Sequence, residues 1–113
     1  MSQPAATPRP PYVAVIFTSV RTEADPGADG AYAQTAARME ELAARQPGYL
    51  GIESAREDGA FGITVSYWTT MQAARAWKLV AEHRSAQELG REVWYRTYRV
   101  RIAEVQREYG PPG

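Results

Sequence analysis

The 113-residue sequence predicts one domain of the α+β class. Three observations carry that expectation. Four runs rich in β-branched and aromatic residues read as strands: Tyr12–Arg21, Tyr49–Arg56, Phe61–Trp68, and a last one from Trp94 to about Arg107. Two segments between them repeat apolar residues at three-to-four spacing, as amphipathic helices do. The order is strand, helix, strand, strand, helix, strand, with each helix between two strands.

Residues 1–11, Met-Ser-Gln-Pro-Ala-Ala-Thr-Pro-Arg-Pro-Pro, hold too much proline for helix or sheet and are expected as a disordered or extended tail. Tyr12–Arg21 is apolar on both alternating faces, the pattern of a strand covered on both sides and central in its sheet. Residues 22–30 contain Asp25-Pro26-Gly27 and Asp29-Gly30, which is loop chemistry. A helix then runs from about Ala31 to Arg45, with Tyr32, Ala36, Met39 and Leu42/Ala43 as its apolar stripe. Gln46-Pro47-Gly48 stops it. Asp58-Gly59 marks a tight turn between the second and third strands.

In the third strand Phe61, Ile63, Val65 and Tyr67 share one face, and Gly62, Thr64, Ser66 and Trp68 share the other. That second face is small and polar until the tryptophan, which leaves room for something besides the protein's own side chains. Thr69-x-x-Gln72 fits a capping box, opening a helix with Ala73, Trp77 and Val80 inward. Around Ala81 to Glu92 the pattern resumes or bends, and Gly90 weakens its end.

The element order is the ferredoxin-like βαββαβ arrangement, a four-stranded antiparallel sheet with two helices on one face. The domain spans residues 12–109, with 110–113 as a short C-terminal tail. The first and third strands are apolar on both faces, yet two helices cover only one. The chain is therefore expected to pair with itself as a homodimer, sheet against sheet, through the open face.

Thirteen basic residues balance thirteen acidic ones, so there is no electrostatic footprint for nucleic acid or an anionic membrane. The absence of cysteine removes disulfides, thiolate metal sites and thiol nucleophiles, and fits a cytoplasmic setting. One histidine cannot build a multi-histidine metal centre within a chain. No run is long enough for a membrane span, and the N-terminus lacks the pattern of a secretory signal.

Several stretches together are familiar: Tyr12-Val-Ala-Val-Ile-Phe-Thr-Ser19, Gln46-Pro-Gly-Tyr-Leu-Gly-Ile-Glu-Ser54, Gly62-Ile-Thr-Val-Ser-Tyr-Trp68, and Glu82-His-x-x-Ala-Gln87 followed by Trp94-Tyr95. They resemble the antibiotic biosynthesis monooxygenase superfamily over about residues 12–109, and within it the small bacterial branch. The superfamily includes cofactor-free oxygenases of polyketide anthrones and quinols, heme-degrading monooxygenases, and members with no known activity. The resemblance implies a dimeric α+β barrel with a pocket in each subunit between sheet and helices. Trp77 matches a helical tryptophan of the heme-degrading members. Their axial histidine lies further along the helix than His83 does from Trp77, and Thr18 and Ser19 occupy the region of their strand-1 asparagine.

His83 is the proton-transfer candidate, since imidazole titrates near neutrality without a large perturbation. Gln87, one helical turn later, would orient the ring or the substrate. The competing role for His83 is a backbone hydrogen bond where the helix bends. Trp68, Trp77 and Trp94 would sandwich a planar substrate, although large aromatics equally serve cores. Tyr67 adds a phenol, and Ser54 and Ser66 are polar residues on apolar strands that would line the pocket. Arg56, Arg99 and Arg101 sit on the expected edge strands, where charge discourages unwanted pairing.

The sequence thus points to a cofactor-independent monooxygenase acting on a small aromatic phenol, quinol or anthrone-like molecule. One alternative is a heme-binding or heme-degrading protein with His83 on the iron. The other is a non-enzymatic dimer that binds a small aromatic metabolite.

Overall fold

The computed structural model describes residues 3–21, 31–57, 61–88 and 95–111, with the side chains of 31–33, 35 and 85–88 excepted. Six elements follow in the expected order: β1 (Tyr12–Arg21), α1 (Ala31–Ala44), β2 (Tyr49–Arg56), β3 (Phe61–Trp68), α2 (Met71–Glu88) and β4 (Tyr95–Val105). The strands form one antiparallel sheet in the order β2-β3-β1-β4. This is the ferredoxin-like βαββαβ fold, with β1 inside and β2 and β4 at the edges, as the apolar patterning requires.

Register decides which residues share a face. Val13, Val15, Phe17 and Ser19 of β1 lie opposite Trp68, Ser66, Thr64 and Gly62 of β3. On the other side they meet Glu104, Ile102, Val100 and Tyr98 of β4. The helices cover this face. Val13, Val15 and Trp68 form a buried core with Ala43 of α1 and Ala74 and Trp77 of α2. Met39, Leu42, Ala73, Val80 and Ala81 pack around it, so both helices present the stripes read from their spacing. The Tyr32 end of the α1 stripe lies outside the described side chains.

The turn between α1 and β2 holds the two layers together. Gln46 and Arg45 close the helix by donating to the carbonyls of Ala43 and Leu42 at 3.0 and 3.2 Å. Gly48 then adopts φ 85°, and its carbonyl accepts the Thr69 amide at 2.9 Å. A Cβ at Gly48 would lie 2.7 Å from both the Ala73 Cβ and the Thr69 Oγ1, so only glycine fits in conformation and in space.

Two boundaries differ from the sequence reading. The cap of α2 is Thr70, whose Oγ1 accepts the Ala73 amide at 3.0 Å, so the expected Thr69 box is one residue out of register. Thr69 is instead engaged by its backbone with Gly48. Of the two courses expected from Ala81 onward the helical one is observed: α2 continues to Glu88, since alanine, glutamate and arginine there all favour helix. Strand β4 ends at Val105, two residues earlier than expected. The Asp58-Gly59 turn, the 22–30 loop and Trp94 lie outside the described residues.

The opposite face carries Tyr12, Ala14, Ile16 and Thr18 of β1 beside Tyr67, Val65 and Ile63 of β3. At one end the N-terminal segment lies over it. The Ala5 amide donates to Glu53 Oε2 at 2.7 Å, and Ala5 approaches Gly51 so closely that a Cβ there would sit 2.9 Å from its own. Thr7 Oγ1 donates to Glu108 Oε1 at 2.5 Å, and Tyr12 donates to the same oxygen. Residues 3–11 thus take no helix or strand, yet they contact the sheet. At the other end Phe61 and Ile63 remain 43% and 38% exposed.

Candidate functional site

The helix side of the sheet has two chemically different ends. At the first, Trp68 is fully buried and stacks on Trp77, with ring centroids 5.7 Å apart and planes 23° apart. Tyr49 meets the same indole edge-on at 5.7 Å. The Trp68 Nε1–H donates to Ser66 Oγ at 2.9 Å, and Ser66 is itself buried. Two candidate site residues, Trp68 and Ser66, therefore satisfy one another, and Trp77 is only 8% exposed. Burial raises the pKa of the Tyr49 phenol, and the charge of Glu40 adds to the shift.

Towards the second end small and polar residues enter the rows beside larger ones. Ser54, Thr64, Phe17 and Val100 form one row, and Arg56, Gly62, Ser19 and Tyr98 form the next. Ser54 is exposed, whereas Ser19 is buried. Arg56 leaves the edge strand β2 and crosses over Gly62, where its Nη2 donates to Ser19 Oγ at 2.8 Å. Beside it Phe17, Tyr95 and Tyr98 form a ring group, with Phe17 5.2 Å from Tyr95 and 5.6 Å from Tyr98. Tyr95 and Tyr98 are an odd number of residues apart and share a face only because the β1–β4 register shifts between Val20 and Arg21.

The remaining candidates are dispersed. His83 is exposed on α2, and the Gln87 side chain and the whole of Trp94 lie outside the described residues. Tyr67 is across the sheet from Trp68 and Ser66, so those residues do not line one space with it. Its hydroxyl donates to Glu53 Oε1 at 2.7 Å, and its ring meets Tyr12 edge-on at 5.8 Å. Burial first, then the bond to the anionic Glu53, raises its pKa far above the ordinary 10.0. Tyr12 is raised for the same two reasons, with Glu108 as its acceptor. Glu108 in turn is lowered by the hydrogen bonds from Thr7 and Tyr12.

Arg56 is on edge strand β2 as expected, and its side chain turns inward over the sheet rather than along the edge. The signal was Gly62 inside an otherwise bulky strand, which marks a close approach. On the open face a shallow hollow of about 190 Å3 lies between Thr18, Val20, Arg99 and Arg101. Ligand pockets usually hold about 300–1,000 Å3, so it is too small for a polycyclic molecule. Among the described residues no cluster of three acidic or histidine side chains could hold a metal ion. No described helix is long and apolar enough to cross a membrane.

The fold and the split helix side define a small α+β domain of the ferredoxin-like class. The profile of the antibiotic biosynthesis monooxygenase family matches residues 15–89, and the chain belongs to that family. It is 55% identical over 102 residues to the uncharacterised protein YqjZ of Bacillus subtilis (strain 168), covering 90% of this chain and 86% of that one. Its fold is shared by SnoaB, a cofactor-independent oxygenase from Streptomyces nogalater, with a TM-score of 0.68 and 19% identity over 89% of this chain and 98% of that one. Rv0793 from Mycobacterium tuberculosis gives 0.67 and 16%, over 88% and 99% of the two chains. PA3566 from Pseudomonas aeruginosa gives 0.64 and 15%, over 90% and 99%.

Proposed function

We propose that this protein is a cofactor-independent monooxygenase that uses molecular oxygen on a small, electron-rich aromatic molecule bound on the helix side of the sheet. The observation that carries the reading is the division of that side. A packed tryptophan end adjoins rows of small polar residues and a ring group, in a chain of a monooxygenase family. Cofactor independence follows the chemistry that SnoaB is named for.

In such a reaction the substrate supplies the electrons. An anthrone-type methylene loses both hydrogens and becomes a carbonyl. One oxygen atom enters the product and the other leaves as water with the two hydrogens. The protein need only bind the ring, exclude water and take the first proton. Trp77 and Trp68 would bound the packed end of the site, and Ser66, Ser54 and Trp94 would complete its lining. His83 takes the proton and Gln87 orients it. The heme reading makes His83 an iron ligand instead, and none of the relatives named above favours it.

The same reading makes the chain a homodimer. Phe61 and Ile63 are exposed beside Val65 and Ile16 on the open face, and a second copy packed sheet to sheet would cover them. Sedimentation at micromolar concentration should give the dimer mass, and a stable monomer would remove the barrel from the proposal.

Oxygen uptake decides the chemistry. Purified protein without metal or flavin should accelerate oxygen consumption by an anthrone or quinol. General-base assistance is worth about 10²- to 10⁴-fold, and His83→Ala should lose turnover in that range while its thermal melt is unchanged. Full turnover in that variant would make His83 structural. No uptake by wild type across a panel of such substrates would leave a binding protein rather than an enzyme.

A further inference from the structure

Successive residues of a strand alternate between faces, so strand position decides which charges reach the open face. On β2 Glu53 and Ala55 have that parity. Glu57, whose amide donates to the Phe61 carbonyl at 2.8 Å, continues it. On β4 Thr97, Arg99 and Arg101 have it. Register joins them into rows, Glu53–Val65–Ile16–Arg101 in one and Ala55–Ile63–Thr18–Arg99 in the next. The open face is thus an apolar strip with an acidic margin on β2 and a basic margin on β4. Glu57, Arg99 and Arg101 are exposed. The margins stand three strand spacings apart, roughly 14 Å, and cannot pair within one chain.

The N-terminal segment divides the same face lengthwise. It crosses one end, from Glu53, which accepts the Ala5 amide, to Glu108, which is taken up by Thr7 and Tyr12. At that end Tyr12 and Ala14 are buried, whereas Phe61 and Ile63 at the other are exposed. A second copy therefore has one bare end to cover. Aligned packing keeps the strands of two sheets within about 30° of one another, which leaves two choices of two-fold axis. An axis across the strands sets β4 on the other copy's β4, so that like charges meet. It also turns the bare end of one copy onto the covered end of the other, unless the overlap is cut down. An axis along the strands lays bare end on bare end and β4 on the other copy's β2. The basic margin then meets the acidic one on both sides of the apolar strip.

We propose that two copies of this chain pair about an axis along the strands, with the Arg99 and Arg101 margin of each seated on the Glu53 and Glu57 margin of the other. This rests on the homodimer reading above, and it adds the orientation and the residues that select it. The hollow between Thr18, Val20, Arg99 and Arg101 lies on the basic margin, and its volume of about 190 Å3 suits a side chain of the second copy. Exposed pairs add little affinity, whereas like charges set against one another are costly. The margins therefore act chiefly by excluding the other orientation.

The test is self-association of the full chain, kept separate from oxygen uptake. Arg99→Glu with Arg101→Glu makes both margins acidic and leaves the apolar strip untouched. In sedimentation at low salt its dimer Kd should rise on the order of 10- to 100-fold over wild type, and high salt should narrow the gap. Adding Glu57→Arg should recover part of that loss, and adding Glu53→Arg as well should recover most of it. Glu53 also accepts from Tyr67 and Ala5, so Glu57→Arg, on an exposed residue, carries the test should the last chain fail to fold. The sequence has no cysteine, so an introduced thiol is the only one. Ala55→Cys and Thr97→Cys chains, mixed with a short thiol crosslinker, should join to each other more than to their own kind.

A wild-type dimer that the arginine reversals leave unweakened, or crosslinks chiefly between identical chains, overturns the proposal and keeps the homodimer. A wild type that stays monomeric throughout the micromolar range overturns both. The expected pattern without oxygen uptake on any substrate supports the pairing and removes the monooxygenase reading alone.

Discussion

Ser66 Oγ accepts the indole N–H of Trp68 at 2.9 Å, from two residues away on the same strand face. Both side chains are buried, and the bond lets a tryptophan enter an apolar layer without leaving its one donor unsatisfied.

Ser66→Ala removes that acceptor and little volume. A buried donor left without a partner costs about 1–3 kcal/mol, and urea unfolding should show a loss of that size with an unchanged m-value. Trp77→Ala, which opens the other side of the stack, should cost about 3–5 kcal/mol. A Ser66→Ala variant as stable as wild type would mean that the indole finds another acceptor.

The phenols define an alkaline limit. Tyr12, Tyr49 and Tyr67 all have folded pKa values above the ordinary 10.0, chiefly through burial. A raised value means that the folded state keeps its proton longer than the unfolded chain does. The associated stability is complete below pH 10 and is lost as pH rises through the folded values. Absorbance at 295 nm should show the exposed tyrosines ionising first and these three only later or together with unfolding. In Tyr67→Phe the decline of stability above pH 10 should be shallower.

Acid acts on the N-terminal segment. Glu108 lies below its ordinary 4.5 because Thr7 and Tyr12 donate to its carboxylate. A lowered value contributes stability that is present above 4.5 and is lost as pH falls through the folded value. Proteolysis of residues 3–11 should therefore accelerate as pH drops below that range. Glu108→Gln should raise it already at neutral pH, leaving the melting of the sheet nearly unchanged. Equal cleavage of wild type and variant at both pH values would detach Glu108 from this role.

Helix α2 offers a test of register. Thr70→Ala removes the capping oxygen and should cost about 1 kcal/mol, or several degrees of melting temperature in a domain of this size. Thr69→Ala keeps the cap and should cost clearly less. The reverse order would restore the box that the sequence suggests.

The strands and their faces were legible because period-two patterning and the Pro-Gly stop at 47–48 are local signals. β2 and β3 even begin and end at the expected residues. The cap of α2 was misplaced by one residue because two adjacent threonines offer the same oxygen, and only the backbone tie of Thr69 to Gly48 separates them. The site was less legible. Trp68, Ser66 and Trp77 do gather, but they fill space that the alternating small residues of β3 suggested was open. The sequence reading groups Tyr67 with them, yet its strand position sends it to the other face. Arg56 and Ser19 lie 37 positions apart, and their bond follows from strand order, which no local pattern carries.

The guanidinium over Gly62 also ties two positions of the chain to one another as they evolve. Position 62 can accept a methyl group only if residue 56 gives up its place, and residue 56 can lie there only while position 62 stays bare. Sequences that put a side chain at position 62 should therefore also have given up the arginine at 56, whereas losing the arginine leaves the glycine free to stay. Such linked change, six positions apart across a hairpin, would mark the relatives of this chain that keep a side chain laid over the third strand, before any of their structures is known.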